Sequence, residues 1–357
     1  CFIHDAKEES GNTILEMAEY KKTGKCKALV VTGCMAQRYK EEITQEIPEV
    51  DAVLGTTSYG DIVKALNEVQ AGHVFQEFRD INELPEDSGR RVLTTGGHFG
   101  YLKIAEGCDK HCTYCIIPSL RGSFRSVPEE RLLAQAEYMA SQGVKELILV
   151  AQETTVYGTD LYGRKTLHIL LKKLCQIRGI RWIRVLYCYP EEIYDELIQV
   201  MKEEKKICNY LDLPIQHASD RILKRMGRRT TRKQLTDIIT KLRREIPDIV
   251  LRTSLITGFP GETQEDHEEL MEFVDEMEFD RLGVFTYSPE SMEGQVPEEV
   301  KEERRDEIMS LQQEISLEKG SERIGQELLV MIEGKVSGES AYIGRTYADA
   351  PKVDDYL

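Results

Sequence analysis

The chain has 357 residues, enough for two or three domains, and a formal net charge of −16. Self-repulsion at that charge keeps a protein soluble and disfavours a phosphate backbone, which points away from nucleic acid as the main partner and toward a basic protein. No stretch approaches the roughly 20 apolar residues of a membrane span, so no membrane partner is expected, and nine cysteines without a visible secretory signal predict a reducing, cytoplasmic setting.

The chain starts at Cys1 rather than Met and stops at Leu357 inside an expected strand, so it reads as a fragment. Apolar spacing at Ile14, Leu15, Met17 and Ala18 predicts a helix over 5–22. A short buried strand over 28–32 follows and delivers Gly33 and Cys34 at its carboxyl end. A second helix is expected from about residue 39 and a third over 61–69, so residues 1–72 read as an open α/β domain. Residues 73–98 contain Pro85, Gly89, Gly96 and Gly97 and read as a linker.

Residues 99–320 alternate strand and helix. Strands are expected at 101–106, 145–151, 181–188, 209–213, 249–257 and 281–286. Helices are expected near 129–142, 166–177, 191–204, 219–226, 231–245 and 263–278. Each crossover helix returns the chain in the same direction, so six such units imply a parallel sheet. Six are too few for a closed eight-stranded barrel. An incomplete, curved (βα)6 barrel is the expectation, its open side able to admit a macromolecule. A charged helix over 298–320 leads into 321–357, where 326–336 and 341–346 read as strands of a small domain. Residues 322–357 carry four Lys or Arg against seven Asp or Glu, although Arg225, Arg228, Arg229, Arg232 and Lys233 form a local basic patch.

The densest chemical signal is G-C-D-K-H-C-T-Y-C at 107–115, a C-x3-C-x2-C triplet of Cys108, Cys112 and Cys115. Three thiolates on one loop can ligate three irons of a cubane cluster and leave the fourth open for a small molecule, whereas most protein-held clusters take four Cys. The loop follows an expected strand, and open α/β sheets and barrels place their chemistry at carboxyl ends of strands. Zinc is the competing reading, with His111 as a fourth ligand, but zinc sites usually show two C-x2-C pairs or a Cys/His set. The odd cysteine count argues against a disulfide framework.

The triplet, with an aromatic before its last Cys, resembles the signature of radical S-adenosylmethionine enzymes. C-F-I-H-D-A-K-E-E-S (1–10), V-T-G-C-M-A-Q-R-Y (31–39), I-P-E-V-D (47–51), C-T-Y-C-I-I-P-S-L-R-G-S-F-R-S (112–126), L-V-A-Q-E-T-T-V-Y-G (149–158), L-P-I-Q-H-A-S-D (213–220) and R-T-S-L-I-T-G-F-P-G-E-T (252–263) resemble the methylthiotransferases of that superfamily. G-R-T-Y-A-D-A-P-K-V-D (344–354) is most similar to the branch that modifies an aspartate of the small-subunit ribosomal protein S-twelve.

The resemblance implies a radical-SAM barrel between an N-terminal methylthiotransferase domain and a partial β-barrel of the TRAM type. It implies methylthiolation of the aspartate β-carbon, with an electron-donor protein as a further partner. Cys108, Cys112 and Cys115 would hold a [4Fe–4S] cluster whose unique iron chelates S-adenosyl-L-methionine, and reductive cleavage would give a 5′-deoxyadenosyl radical. Gln152 or Glu153 would bind the cosubstrate, or simply cap a turn. Ser254, Ile256 and Gly258 match its binding strand, and Gln216 and His217 follow a neighbouring one. Arg121 and Arg125 would stabilise the cluster or a carboxylate, or anchor the loop by ion pairs. A second [4Fe–4S] cluster would use Cys34 and, at the very start, Cys1 or the residue before it. Cys26, Cys175, Cys188 and Cys208 match no motif. Y-S-P-E-S-M-E-G (287–294) departs from the family's usual Gly-Thr turn. A tRNA methylthiotransferase shares every catalytic motif and stays open as a rival, as does a non-enzymatic iron–sulfur or zinc protein. The acidic 322–357 segment favours the protein substrate, with Asp349 and Asp354 either candidate contacts to it or structural turn residues.

Overall fold

A computed structural model describes residues 4–85, 91–95, 97–288 and 293–354. The chain forms two compact units, one of residues 1–90 with 106–125, the other of 91–105 with 126–357.

The first unit opens with α1 (His4–Thr23), β1 (Val30–Thr32), α2 (Cys34–Tyr39) and α3 (Glu41–Glu46). It continues with β2 (Ala52–Leu54), α4 (Ile62–Gln70) and β3 (Phe75–Glu77), and takes in α5 (Ile117–Arg121) from the later segment. The strands are parallel in the order β1-β2-β3. Ile14, Val31, Ala36, Ile43, Val50 and Val53 form one core cluster, and Ala52, Leu54 and Ala65 another. The second helix starts earlier than expected. Gly33, at φ 98°, turns the chain straight from β1 into α2 at Cys34, and the helix then breaks at Lys40 (φ 41°). The stretch read as a linker supplies β3, and β2 escaped notice altogether.

The second unit is built on β4 (Phe99–Lys103), β5 (Glu146–Val150), β6 (Trp182–Val185), β7 (Ile207–Asp212), β8 (Val250–Thr257) and β9 (Arg281–Thr286). They form one sheet, all parallel, in consecutive order. Between them run α6 (Glu129–Ser141), α7 (Leu167–Cys175), α8 (Asp195–Glu203), α9 (Asp220–Arg225), α10 (Arg232–Glu245) and α11 (Gln264–Met277). The long α12 (Glu298–Glu322) lies against β9 and α11, and an antiparallel pair, β10 (Met331–Lys335) and β11 (Tyr342–Arg345), follows.

Local chemistry fixes several helix starts. Thr231 caps α10 and Thr263 caps α11, each in a reciprocal capping box with the third helical residue, Gln234 and Asp266. Burial alone would raise the Asp266 carboxyl. Arg221, the Thr263 amide and hydroxyl and the Ser219 hydroxyl overcome this and hold it well below the usual carboxylate range. A depressed carboxyl adds stability above its unfolded pKa and loses it as pH falls through the folded one. Asp266→Asn is therefore expected to cost about 1–2 kcal/mol at neutral pH. Urea titrations of the two proteins should converge on strong acidification, and a gap that is constant with pH would refute the charge-based account.

Along β8 the burial alternates. Leu251, Thr253, Leu255 and Thr257 are buried, while Arg252, Ser254 and Ile256 are only half-buried. One face of the sheet is thus covered along the whole strand and the other stays accessible toward the carboxyl end. Nearer the amino end that second face is filled by residues 345–354. Ala348 and Ala350 pack with Phe99, Ile148, Trp182, Leu186, Cys208, Tyr210 and Val250. Arg345 is 0% exposed, ion-paired with Glu146 and, at 2.5 Å, with Glu333, and its guanidinium lies 5.6 Å from the Phe99 ring. Arg184, equally buried, donates to the same Glu146 at 2.8 Å and to the Tyr347 carbonyl at 2.7 Å.

Of the two readings of Asp349 and Asp354, the structural one holds. Asp349 is 5% exposed and accepts from the Thr346 amide and hydroxyl and from Arg281 at 2.6 Å. Asp354 accepts from the Tyr210 hydroxyl at 2.7 Å and the Ala350 amide at 2.8 Å, with Arg252 at 3.6 Å. Both carboxylates tie the segment to the sheet. Charge counting saw the acids but not the arginines and tyrosine, distant in sequence, that neutralise or bind them.

Candidate active site

Cys108, Cys112 and Cys115 lie on a loop of the first unit that begins at Gly107. Gly107 has φ 78°, and a Cβ there would stand 2.1 Å from the Ser123 carbonyl oxygen, so only glycine lets the two arms of the loop close. The Cys108 amide then donates to the Gly122 carbonyl at 3.2 Å, the Phe124 amide to Asp109 at 3.0 Å and the Ser123 amide to Asn82 at 3.0 Å. Cys108 and Cys112 are 6% and 5% exposed and Cys115 is half-buried. His111 is exposed, with φ 52°.

Burial pushes the Cys115 thiol up to about 11, an Ile117 amide opposes this, and Cys112 and Cys108 add to the rise. The three sulfurs are thus near enough to repel one another as thiolates. Among the described residues, no three Cys, His, Asp or Glu converge on one ion. Three thiols on one loop, two of them buried, fit an iron–sulfur cluster by donor chemistry, since thiolates are the ligands of such clusters.

Cys34 sits where β1 hands the chain to α2, at the carboxyl edge of the three-stranded sheet. The Arg121 guanidinium donates to its sulfur at 3.3 Å and reaches Glu106 at 3.4 Å. Thr56, just beyond β2, donates to the Leu120 carbonyl at 2.9 Å. The loop segment and this sheet edge thus share one packed region, a link that sequence spacing did not reveal. Arg125 donates to the Ser123 and Arg121 carbonyls and so anchors the loop. Cys1 lies outside the described residues, as do 289–292 of the atypical turn.

In the second unit, the remaining candidates lie at or just beyond carboxyl ends of strands. Gln216, at φ 71°, bridges to β8, its amide donating to the Ser254 carbonyl at 2.9 Å and its carbonyl accepting from the Ile256 amide at 2.8 Å. Ser254 and Ile256 stand on the accessible face. Gly258 has φ 67°, and a Cβ there would meet the Lys301 side chain at 2.1 Å. Gln152 is half-buried after β5. Glu153 is buried and accepts from the Thr155 amide and hydroxyl, an arrangement that braces its own turn. His217 is buried; its Nδ1 accepts from the Ser219 amide at 3.0 Å and its Nε2 stands 3.6 Å from Glu262.

Three of the cysteines outside the motifs, Cys175, Cys188 and Cys208, are buried and read as inert. Burial pushes Cys175 and Cys208 up to about 12 and raises Cys188 further still. None of the eight described cysteines is in a disulfide. Among the described residues, no helix is long and apolar enough to cross a membrane.

Comparison with known proteins adds three findings. The model of the Radical SAM superfamily matches residues 102–274, and that of the Uncharacterized protein family UPF0004 matches 1–55. The "Ribosomal protein uS12 methylthiotransferase RimO" of Lachnoclostridium phytofermentans is 63% identical, aligned over 100% of this chain and 82% of its own length. The protein of the same name from Clostridium botulinum strain Langeland is 50% identical over 99% of this chain and 80% of its own. A solved radical S-adenosylmethionine methyltransferase, TsrM from Kitasatospora setae with cobalamin and [4Fe-4S] cluster bound, aligns with TM-score 0.59 at 13% identity, covering 77% of this chain and 57% of that one. The cobalamin-dependent S-adenosylmethionine radical enzyme OxsB aligns with TM-score 0.54 at 17% identity, covering 88% and 47%. These structures share the fold alone.

Proposed function

Because the chain belongs to the ribosomal protein uS12 methylthiotransferases, a family of radical S-adenosylmethionine enzymes, we propose that it transfers a methylthio group to the β-carbon of an aspartate of uS12. The observation that carries this reading is the 63% identity sustained across the whole chain and 82% of the relative. Cys108, Cys112 and Cys115 are the ligands of a [4Fe–4S] cluster, as the donor set on their loop suits. When bound, cluster and cosubstrate would supply the radical chemistry that abstraction of the aspartate hydrogen requires. The chain's own part is to position and to exclude. Gly107 and the Ser123 arm close the loop around the thiols, and Arg125 fixes that arm. Gln152, Glu153, Gln216, Ser254, Ile256 and Gly258 would bind the cosubstrate, and the accessible face of β8 supports this for Ser254 and Ile256.

Cys34, with Cys1 or its predecessor, belongs to a second cluster that donates sulfur. Support for this comes from the Arg121 guanidinium, which donates to the Cys34 sulfur at 3.3 Å. An electron-donor protein reduces the clusters, and action on a ribosomal protein places the enzyme in the cytoplasm. The parallel sheet is an incomplete (βα)6 barrel over 99–320, preceded by the methylthiotransferase domain at 1–72 and a linker at 73–98. Residues 321–357 begin a TRAM domain.

The test is mass spectrometry of ribosomal proteins and of tRNA nucleosides from a strain that lacks the gene. Loss of the methylthio mass from the uS12 aspartate, restored by complementation, is the expected result. Loss from an adenosine of tRNA with uS12 unchanged would move the assignment to the tRNA-modifying enzymes.

A further inference from the structure

Just after β6 the chain runs Tyr187-Cys188-Tyr189, and the two tyrosines are treated differently. The Tyr189 ring is covered by the Arg228 guanidinium at 4.4 Å from its centroid. Tyr187 is 49% exposed, and among the described residues its hydroxyl has no hydrogen-bond partner and its ring faces no other ring or cation.

Tyr187 also holds a left-handed backbone, φ 59°, which is costly for a bulky residue. Three bonds impose it. The Tyr187 amide donates to Asp212 at 3.1 Å, and its carbonyl accepts from the Thr154 amide at 3.0 Å and the Thr154 hydroxyl at 2.9 Å. A strained residue is retained when its surroundings over-determine it, and such residues cluster at binding sites. This one lies beyond the carboxyl end of a strand of the parallel sheet, the edge where such folds bind ligands.

The carboxylate beside it is Asp212, whose side chain accepts from the Tyr187 amide. Asp212 takes the Arg252 guanidinium at 2.9 Å, and Asp354 shares the same guanidinium at 3.6 Å, so two carboxylates face one cation. Asp212 and Arg252 stand close enough to act on the Tyr187 phenol, which partial burial and then Asp212 push up and Arg252 pulls down. An open aromatic face suits a cation by its ring quadrupole. The overall charge of −16 also favours one.

We propose that Tyr187 is a specificity-determining residue that receives a lysine or arginine side chain of the protein substrate near the acceptor aspartate, with Asp212 and Thr154 as the positioning residues that hold its ring open. The inference rests on the uS12 reading and extends it to a named contact.

The test is equilibrium binding of a uS12 peptide that carries the acceptor aspartate to the full chain and to Tyr187→Phe and Tyr187→Leu. The same peptide with its basic residues replaced by neutral isosteres is the control. Tyr187→Leu should weaken the basic peptide by about fivefold to tenfold, while Tyr187→Phe, which keeps the aromatic face, stays within about twofold. The neutral peptide should bind all three proteins alike. Equal weakening of both peptides by Tyr187→Leu, no weakening of either, or a loss in Tyr187→Phe as large as in Tyr187→Leu would overturn the contact. If the unaltered chain takes up a tRNA fragment but not the peptide, the uS12 reading falls and this inference falls with it. Thermal unfolding of each variant separates loss of binding from loss of fold.

Discussion

Replacing Glu146 with glutamine is expected to destabilise the second unit by roughly 3–5 kcal/mol, because it leaves the buried Arg184 guanidinium without its carboxylate and Arg345 with Glu333 alone. Arg184 and Arg345 both bind this carboxylate, and all three side chains are 0% exposed. Removing one partner of such a set exposes the desolvation that the pairing had offset. Urea unfolding of the unaltered chain and of Glu146→Gln would measure the loss. A difference below about 1 kcal/mol would mean that water reaches these groups and that the pairs act like surface ones.

Cys112→Ala is expected to abolish iron uptake at the triplet while leaving the thermal midpoint nearly unchanged. The unaltered loop should take up about four irons under anaerobic reconstitution, with broad visible absorption. A thiol on a loop that is otherwise held by backbone bonds contributes a ligand more than it contributes packing. Gly107→Ala should also lower iron uptake, for a different reason: its Cβ would drive the loop arms apart at Ser123. Stoichiometric zinc binding without iron uptake by the unaltered chain would refute the cluster assignment.

The six strands of the large sheet were legible because each is a largely apolar or β-branched run that alternates with helices. Thr231 and Thr263 mark two of the helix starts in the sequence itself. The strands β2 and β3 were not legible, since three residues cannot display a period and Ala52–Leu54 is apolar throughout. The triplet was legible from spacing. The approach of Arg121 to Cys34 was not, because it depends on how a loop packs on a distant sheet edge. Tyr187 carried no sequence signal, as a positive φ at a tyrosine is set by its hydrogen-bond partners and not by its identity. Asp349 and Asp354 stayed undecided in the sequence because a charge total does not show which charges end up bonded inside.

The covering of the sheet by residues 345–354 also constrains the order in which the protein can be made. Arg184 and the Tyr347 carbonyl that it binds are 163 residues apart. Such distant contacts form slowly, since loop closure comes before any reward. On the ribosome the strands β4 to β9 emerge well before this segment, with Glu146, Arg184, Tyr210 and Arg252 still lacking part of their partners. Until residue 354 has cleared the exit, the nascent sheet exposes an apolar face lined with unsatisfied charges, a species prone to aggregate or to recruit a chaperone. Release of a chain stopped before Arg345 should therefore give insoluble protein, even though every strand of the sheet is present.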